Sequence, residues 1–289
     1  MRNKFLVTIN NLDDIEKLKE LGITKYVFPL KNFCVGIPNT FLVSEISCDG
    51  YIYINRILDN YGIDELKKVL CDLPENIKGI IFDDLGVYEI IKNLDLEKIL
   101  YLSHFNANSK SVNIYLDLVD SVILSTDITK EEIENIIKSS NKQISLFTFG
   151  YVGVMYSRRL LNTNYSKFYN IVNENPLIIQ NEHNKFIVYE NEYGTYFYHD
   201  KVFNGKDLLN LSVKYYFINS TFLSVLDIEN FLNNKKIENS DNGFLYKETI
   251  YKLKGDENVW VIGTRWGFRK IKNGSFIWRW CGICWRQRL

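Results

Sequence analysis

VDSVILSTDITKEEIENIIKSSNKQISLFTFG, residues 119–150, decides the fold. Its ends, VDSVILS (119–125) and QISLFTFG (143–150), are short apolar runs of strand length. Between them, residues 128–139 carry apolar positions at helical spacing. Thr126 or Asp127 is placed to cap that helix, and Lys130, Glu131 and Glu132 fall in its first turns. The same alternation runs in both directions. FLVTI (5–9), KYVFPL (25–30), YIYIN (51–55), KGIIFDD (78–84), EKILYLS (97–103) and VKYYFINS (213–220) read as further strands. Helical patterns fall at 12–22, after YIYIN, at 86–93, 109–117 and 223–233. Most strands are apolar on both faces, as in a parallel sheet covered by helices, and a count of about eight favours a (β/α)8 TIM-barrel-like α/β fold. FIVYENEYGTYFYH (186–199) alternates around Gly194 and reads as a β-hairpin inserted before the last strand.

Charge and composition narrow the function classes. The 289 residues carry 35 basic and 35 acidic side chains, so a strongly basic nucleic-acid arm is not the main feature. No apolar run is long enough for a membrane helix, and the polar opening MRNKFLVTINNLDD does not suit a secretion signal. The expected location is the cytoplasm, with no membrane association and with the five cysteines reduced. One barrel domain is expected over 1–256. All five tryptophans (260, 266, 278, 280, 285) lie in 257–289, which holds seven basic residues and one acidic.

In such a barrel the chemistry gathers where strands end. That rule selects Asn55 and Arg56, Asp83 and Asp84, His104 and Asn108, Thr126 and Asp127, the run Gly150 to Arg159, and Asn219 and Ser220. Of the three histidines only His104 ends a strand and suits acid–base work. His183 and His199 flank the hairpin and are expected at the surface. Asp83, Asp84, His104, Asn108, Tyr156, Arg158 and Arg159 are expected to face one cavity. Arg158 and Arg159 suit a carboxylate or phosphate, or alternatively open a helix and pair with nearby carboxylates, and Tyr151 and Tyr156 suit stacking on a base.

Three ordered stretches carry a family resemblance. FTFGYVGVMYSRRLLNTNY (147–165), GIIFDDLGVYEIIK (79–92) and VDSVILSTDITKEEIENI (119–136) together resemble the collagenase-like peptidases of class U, family 32. EYGTYFYHDKVFNGKDLL (192–209) extends the likeness, which covers roughly residues 1–250. Two features depart from the family pattern. Ser145 stands where the signature has a glutamate, and the two family cysteines fall at Gly153 and Leu160. Those cysteines help hold an iron–sulfur cluster in other members, so no cluster is expected in this subunit. Cys34, Cys48 and Cys71 are expected to be buried structural thiols.

The family name implies proteolysis, yet the chain has no G-x-S-x-G and no H-E-x-x-H. Other branches of the family it resembles hydroxylate nucleic-acid bases or ubiquinone precursors. The cysteine-poor character resembles the short partner in prephenate-dependent 5-hydroxylation of the tRNA wobble uridine. The resemblance implies a longer paralogue encoded next to it as partner in a hetero-oligomer, tRNA as substrate and prephenate as co-substrate. Among the strand-end residues, Asn55, Arg56, Asn108, Gly150, Tyr151, Tyr156, Ser157, Arg158 and Arg159 are expected to contact substrate. Asp83, Asp84 and His104 remain for catalysis. Collagenase-like peptidase activity is the alternative.

Residues 257–289 read differently. From Val261, synonymous codons taken from their second base permit LLAPDGDLEKLKMAVLYGAGAVYVGG, which resembles the opening of the longer family members. The segment is therefore expected to be an out-of-frame, non-native tail, disordered or helical by accident. Its tryptophans should be exposed, and Cys281 and Cys284 should bind no metal.

Overall fold

The computed structural model describes residues 2–101, 108–180 and 185–247, together with the backbone of two short strands at 277–280 and 283–286. The chain forms two compact units, Met1–Tyr246 and Lys247–Leu289. In the first unit, seven strands follow one another around a barrel. They are β1 (Phe5–Thr8), β2 (Lys25–Pro29), β3 (Gly50–Ile54), β4 (Ile77–Phe82), β5 (Glu97–Tyr101), β6 (Ser121–Leu124) and β7 (Ser145–Ser157). An insertion with β8 (Leu177–Gln180), β9 (Lys185–Asn191) and β10 (Gly194–Asn204) precedes the eighth barrel strand, β11 (Tyr216–Asn219). β11 pairs in parallel with both β1 and β7, which closes the expected parallel barrel.

Every residue of β1, β3, β6 and β11 is buried, the mark of strands covered on both faces. Inside, the rings of Tyr53, Tyr101, Phe147 and Phe217 fill the barrel, with centroids 5.8–6.2 Å apart in the contacts Tyr53–Phe217, Tyr101–Phe147, Tyr101–Phe217 and Phe147–Phe217. Outside run α1 (Asp14–Glu20), α2 (Asn60–Leu70), α3 (Leu85–Ile91), α4 (Ser109–Leu118), α5 (Lys130–Ser139), α6 (Leu161–Tyr169) and α7 (Val225–Leu232). A bulge at Thr148 turns β7 over, so Phe147 faces inward while Phe149 stacks on Phe231 of α7 at 4.5 Å.

Local chemistry corrects several sequence expectations. α5 begins later than expected and is capped by Thr129, which exchanges hydrogen bonds with Glu132, rather than by Thr126 or Asp127. β7 does not end at Gly150 but leaves the barrel there and continues to Ser157. Gly150 has φ +135°, and a side chain there would meet the Asn219 carbonyl oxygen at 2.2 Å, so only glycine fits this pivot. The expected hairpin exists as β9 and β10, with Tyr189 opposite Tyr196, but it belongs to a larger antiparallel sheet in the order β7–β10–β9–β8. A short strand, β12 (Ser240–Asp241), also pairs with β10. Among the three cysteines described, Cys34 is buried as expected, but Cys48 is half-buried and Cys71 exposed.

The second unit spans Lys247–Leu289. Its described part is an antiparallel pair, β13 (Ile277–Trp280) with β14 (Ile283–Arg286), where no regular structure beyond a chance helix was expected. The side chains of its tryptophans, and Cys281, lie outside the described residues, as does the side chain of Cys284. Among the described residues, no helix is long and apolar enough to cross a membrane.

Candidate active site at the barrel mouth

The strands β3, β4 and β5 deliver Tyr53, Asp83 and Tyr101 to the C-terminal mouth of the barrel. The insertion sheet brings Tyr196 and Tyr198 beside them. The segment after β2 ties this sheet down. Tyr198 donates to the Gly36 carbonyl at 2.8 Å, and Asn191 donates to the Cys34 carbonyl at 3.0 Å. Gly36, at φ +77°, leaves no room for a side chain, because a Cβ would meet that of Tyr196 at 2.5 Å.

Asp83 is the unusual member. Its Oδ1 is buried with no hydrogen-bond partner, which a buried carboxyl rarely tolerates without a functional reason. Burial, reinforced by the neighbouring Asp84, raises its pKa well above the ordinary carboxylate value. Asp83 in turn acts electrostatically on Tyr53, Tyr101 and Tyr196. Burial pushes these phenols up, with Tyr198 beside them, so all four stay protonated. Among the described residues, no hydrogen bond joins Asp83 to the hydroxyls of Tyr53, Tyr101 and Tyr196. An acid and three phenols therefore converge at the mouth without satisfying one another. Groups so arranged are suited to holding a ligand.

A rim of arginine and aromatic side chains adjoins this cluster. Tyr156 stacks on Tyr196 at 6.2 Å and donates to the Tyr193 carbonyl. The Arg56 guanidinium lies 4.0 Å from the centre of the Tyr193 ring and donates to the Asn32 carbonyl. Arg158 pairs with Asp59 at 3.1 Å. Asp59 caps α2, and the Gly62 N–H, helped by Arg158 and Arg56, holds its carboxyl below the usual range. Both arginines act on Tyr156, so Arg56, Tyr156 and Arg158 share one side of the mouth.

The turn bearing Arg158 and Arg159 is fixed by Glu190 of β9. α6 has no side-chain cap of its own. Glu190 replaces it, accepting from the Asn162 and Thr163 N–H groups at 2.8 and 2.9 Å. The Thr195 hydroxyl is within hydrogen-bond reach of both Glu190 and the Arg159 carbonyl. Burial alone would raise the Glu190 pKa, but the hydroxyls of Thr163 and Thr195 and the two amides outweigh it and lower the pKa.

Other expected site residues are occupied by structural work. Asn55 is buried and exchanges two hydrogen bonds with Val35. Asp84 caps α3 and also accepts from Leu58 N–H. Asn108 caps α4. Ser157 accepts from Arg159 N–H, and Gly150 is the pivot of β7. Tyr151 meets Phe222 edge-on at 6.3 Å, where Phe222 holds φ +63°, a strained value for a bulky residue, among Tyr151, Tyr189 and Tyr198. Arg159 is exposed. His104 and His183 lie outside the described residues, and His199 stacks on Phe186 across the hairpin. Sequence reasoning did not select Tyr53, Tyr101, Tyr196 or Tyr198. Tyr53 and Tyr101 stand inside apolar strands, and their position near a strand end was the only signal.

An iron–sulfur cluster at the family positions does not fit this chain. A Cβ at Gly153 would meet the Tyr196 hydroxyl at 2.3 Å, and Leu160 stands at the start of α6. Cys34 is enclosed, donates to the Tyr53 carbonyl at 3.0 Å, and has its thiol pushed up by burial.

No curated protein and no solved structure matches the chain. Residues 42–211, which run from before β3 to beyond β10 and include Asp83, Tyr156, Arg158 and Tyr196, match the model of peptidase family U32. That span is more than half of the chain, which therefore belongs to peptidase family U32.

Proposed function

We propose that this chain is a subunit of a prephenate-dependent system that 5-hydroxylates the wobble uridine of tRNA, working with a longer family paralogue. One observation carries the reading: a buried acid whose Oδ1 has no partner lies at the barrel mouth among three phenols, beneath an arginine and tyrosine rim. Phenol faces suit a planar ring, and the cluster supplies hydrogen bonds to its polar edge. Arg56 and Arg158 suit the phosphates of an RNA loop or the carboxylates of prephenate. The buried, protonated thiol of Cys34 is a poor nucleophile, so it does not favour thiol-based proteolysis.

The test is nucleoside mass spectrometry of tRNA from a deletion strain carrying wild-type, Asp83→Leu or Arg158→Ala protein. The deletion should abolish 5-hydroxyuridine derivatives, wild type should restore them, and neither variant should. Unchanged derivatives in the deletion strain would overturn the reading. Gelatin cleavage by the purified chain, lost in Asp83→Leu, would replace it with proteolysis.

A further inference from the structure

We infer that Asp83 reads the ring itself, its carboxylic acid pairing with the adjacent N3–H and C4=O of a uracil-type base. This inference rests on the uridine reading above and assigns the atom-level contact within the same site.

The geometry of the mouth leads there. A carboxylate can only accept, and it would repel a ring carbonyl. A carboxylic acid presents a donor and an acceptor side by side in one plane. That pair complements a cyclic amide edge, where N–H and C=O are also adjacent and coplanar, giving two parallel hydrogen bonds. The surroundings favour the acid form. The groups acting on or beside Asp83 are Asp84 at the head of α3, Tyr53 of β3, Tyr101 of β5, Tyr196 of β10 and Cys34 after β2, with Asp127 reaching Tyr101 from beyond β6. Among these described groups none is a cation. The rim arginines act instead on Tyr156 and Asp59. A charged Asp83 would face the Asp84 carboxyl with no cation acting on it among the described residues, which favours the acid form. The buried Oδ1, without a protein partner, is left for the ligand. The Tyr53, Tyr101 and Tyr196 phenols lie near enough for the Asp83 charge to act on each of them.

Asparagine keeps the donor–acceptor pair and removes the titration, whereas leucine removes both, so the two substitutions separate pairing from packing. The experiment measures uridine and N3-methyluridine binding to the full chain by calorimetry or NMR, using wild type, Asp83→Asn and Asp83→Leu. Wild type should bind uridine, with affinity that holds or falls as pH rises. Asp83→Asn should retain that binding with no pH dependence from this position. Asp83→Leu, and methylation of N3, should each weaken binding by about tenfold or more, the scale of a bidentate base contact. Equal binding of the two nucleosides, an Asp83→Asn loss matching that of a folded Asp83→Leu, wild-type affinity that rises with pH, or no uridine binding at all would each overturn the inference. An unchanged tRNA in the deletion strain would sink the uridine reading instead and leave the in vitro pairing as measured.

Discussion

The barrel holds a carboxyl group among tyrosines at each end, and the two clusters are built oppositely. At the N-terminal end, Glu97 Oε2 accepts from Tyr51 at 2.6 Å and Tyr215 at 2.9 Å, while Oε1 accepts no hydrogen bond but is ion-paired with Lys214 at 2.6 Å. The two phenols also meet each other at 3.2 Å, and Lys25 and Lys214 lie over the Tyr215 ring. At the C-terminal end, among the described residues, no cation acts on Asp83, its Oδ1 has no partner, and the three nearby phenols do not satisfy it. Similar residues thus do different work. A paired cluster fastens strands together, whereas an unpaired one stores unfavourable desolvation that a ligand can relieve.

The largest effect should come from breaking the paired end. Glu97→Leu leaves Tyr51, Tyr215 and Lys214 without their shared acceptor, and in this partly buried cluster the loss should be about 2 to 4 kcal/mol, below that of a fully buried pair. A denaturant titration should show that loss, while uridine binding by the molecules still folded should remain. A smaller loss is expected at Glu190. Glu190→Gln keeps the shape but weakens four charge-assisted contacts, for a cost of about 1 to 3 kcal/mol. Its pKa is lowered in the folded chain, so its contribution is present above the ordinary glutamate range and fades as pH falls through the folded value. The gap in melting temperature between wild type and Glu190→Gln should therefore be widest at neutral pH and close in acid. The smallest effect should follow truncation after Tyr246. The barrel closes with residues before that point, including Leu245, whose carbonyl accepts from Lys130 N–H. The melting temperature of the shortened chain should stay within a few degrees of that of the full chain.

The same contrast explains what the sequence displayed. Barrel strands announced themselves because burial on both faces leaves continuous apolar runs such as SVIL in β6. α6 did not, because its pattern is inverted: Asn162 and Ser166 are buried while Tyr165, Phe168 and Tyr169 are exposed. The extension of β7 was hidden by Gly150 and Gly153, which read as turn residues but are required by close contacts with Asn219 and Tyr196. Asp83 was visible as a polar residue at a strand end. Asp84 and Asn108 looked equivalent to it, yet backbone N–H groups claim both, and spacing alone does not separate a cap from a site. Tyr196 was out of reach because its place at the mouth depends on how the insertion folds back.

The most direct test of the account is the titration of Asp83 itself. Carbonyl NMR of the full chain labelled at aspartate, with Asp83→Asn to assign the signal, follows its carboxyl carbon across pH. Asp83 should remain protonated after the exposed aspartates have ionised, and its contribution to stability should decline as pH rises through that higher value. Added uridine should shift its signal. Titration of Asp83 at the ordinary carboxylate value, unaffected by uridine, would contradict the claim that an unpaired acid at the barrel mouth is the functional centre.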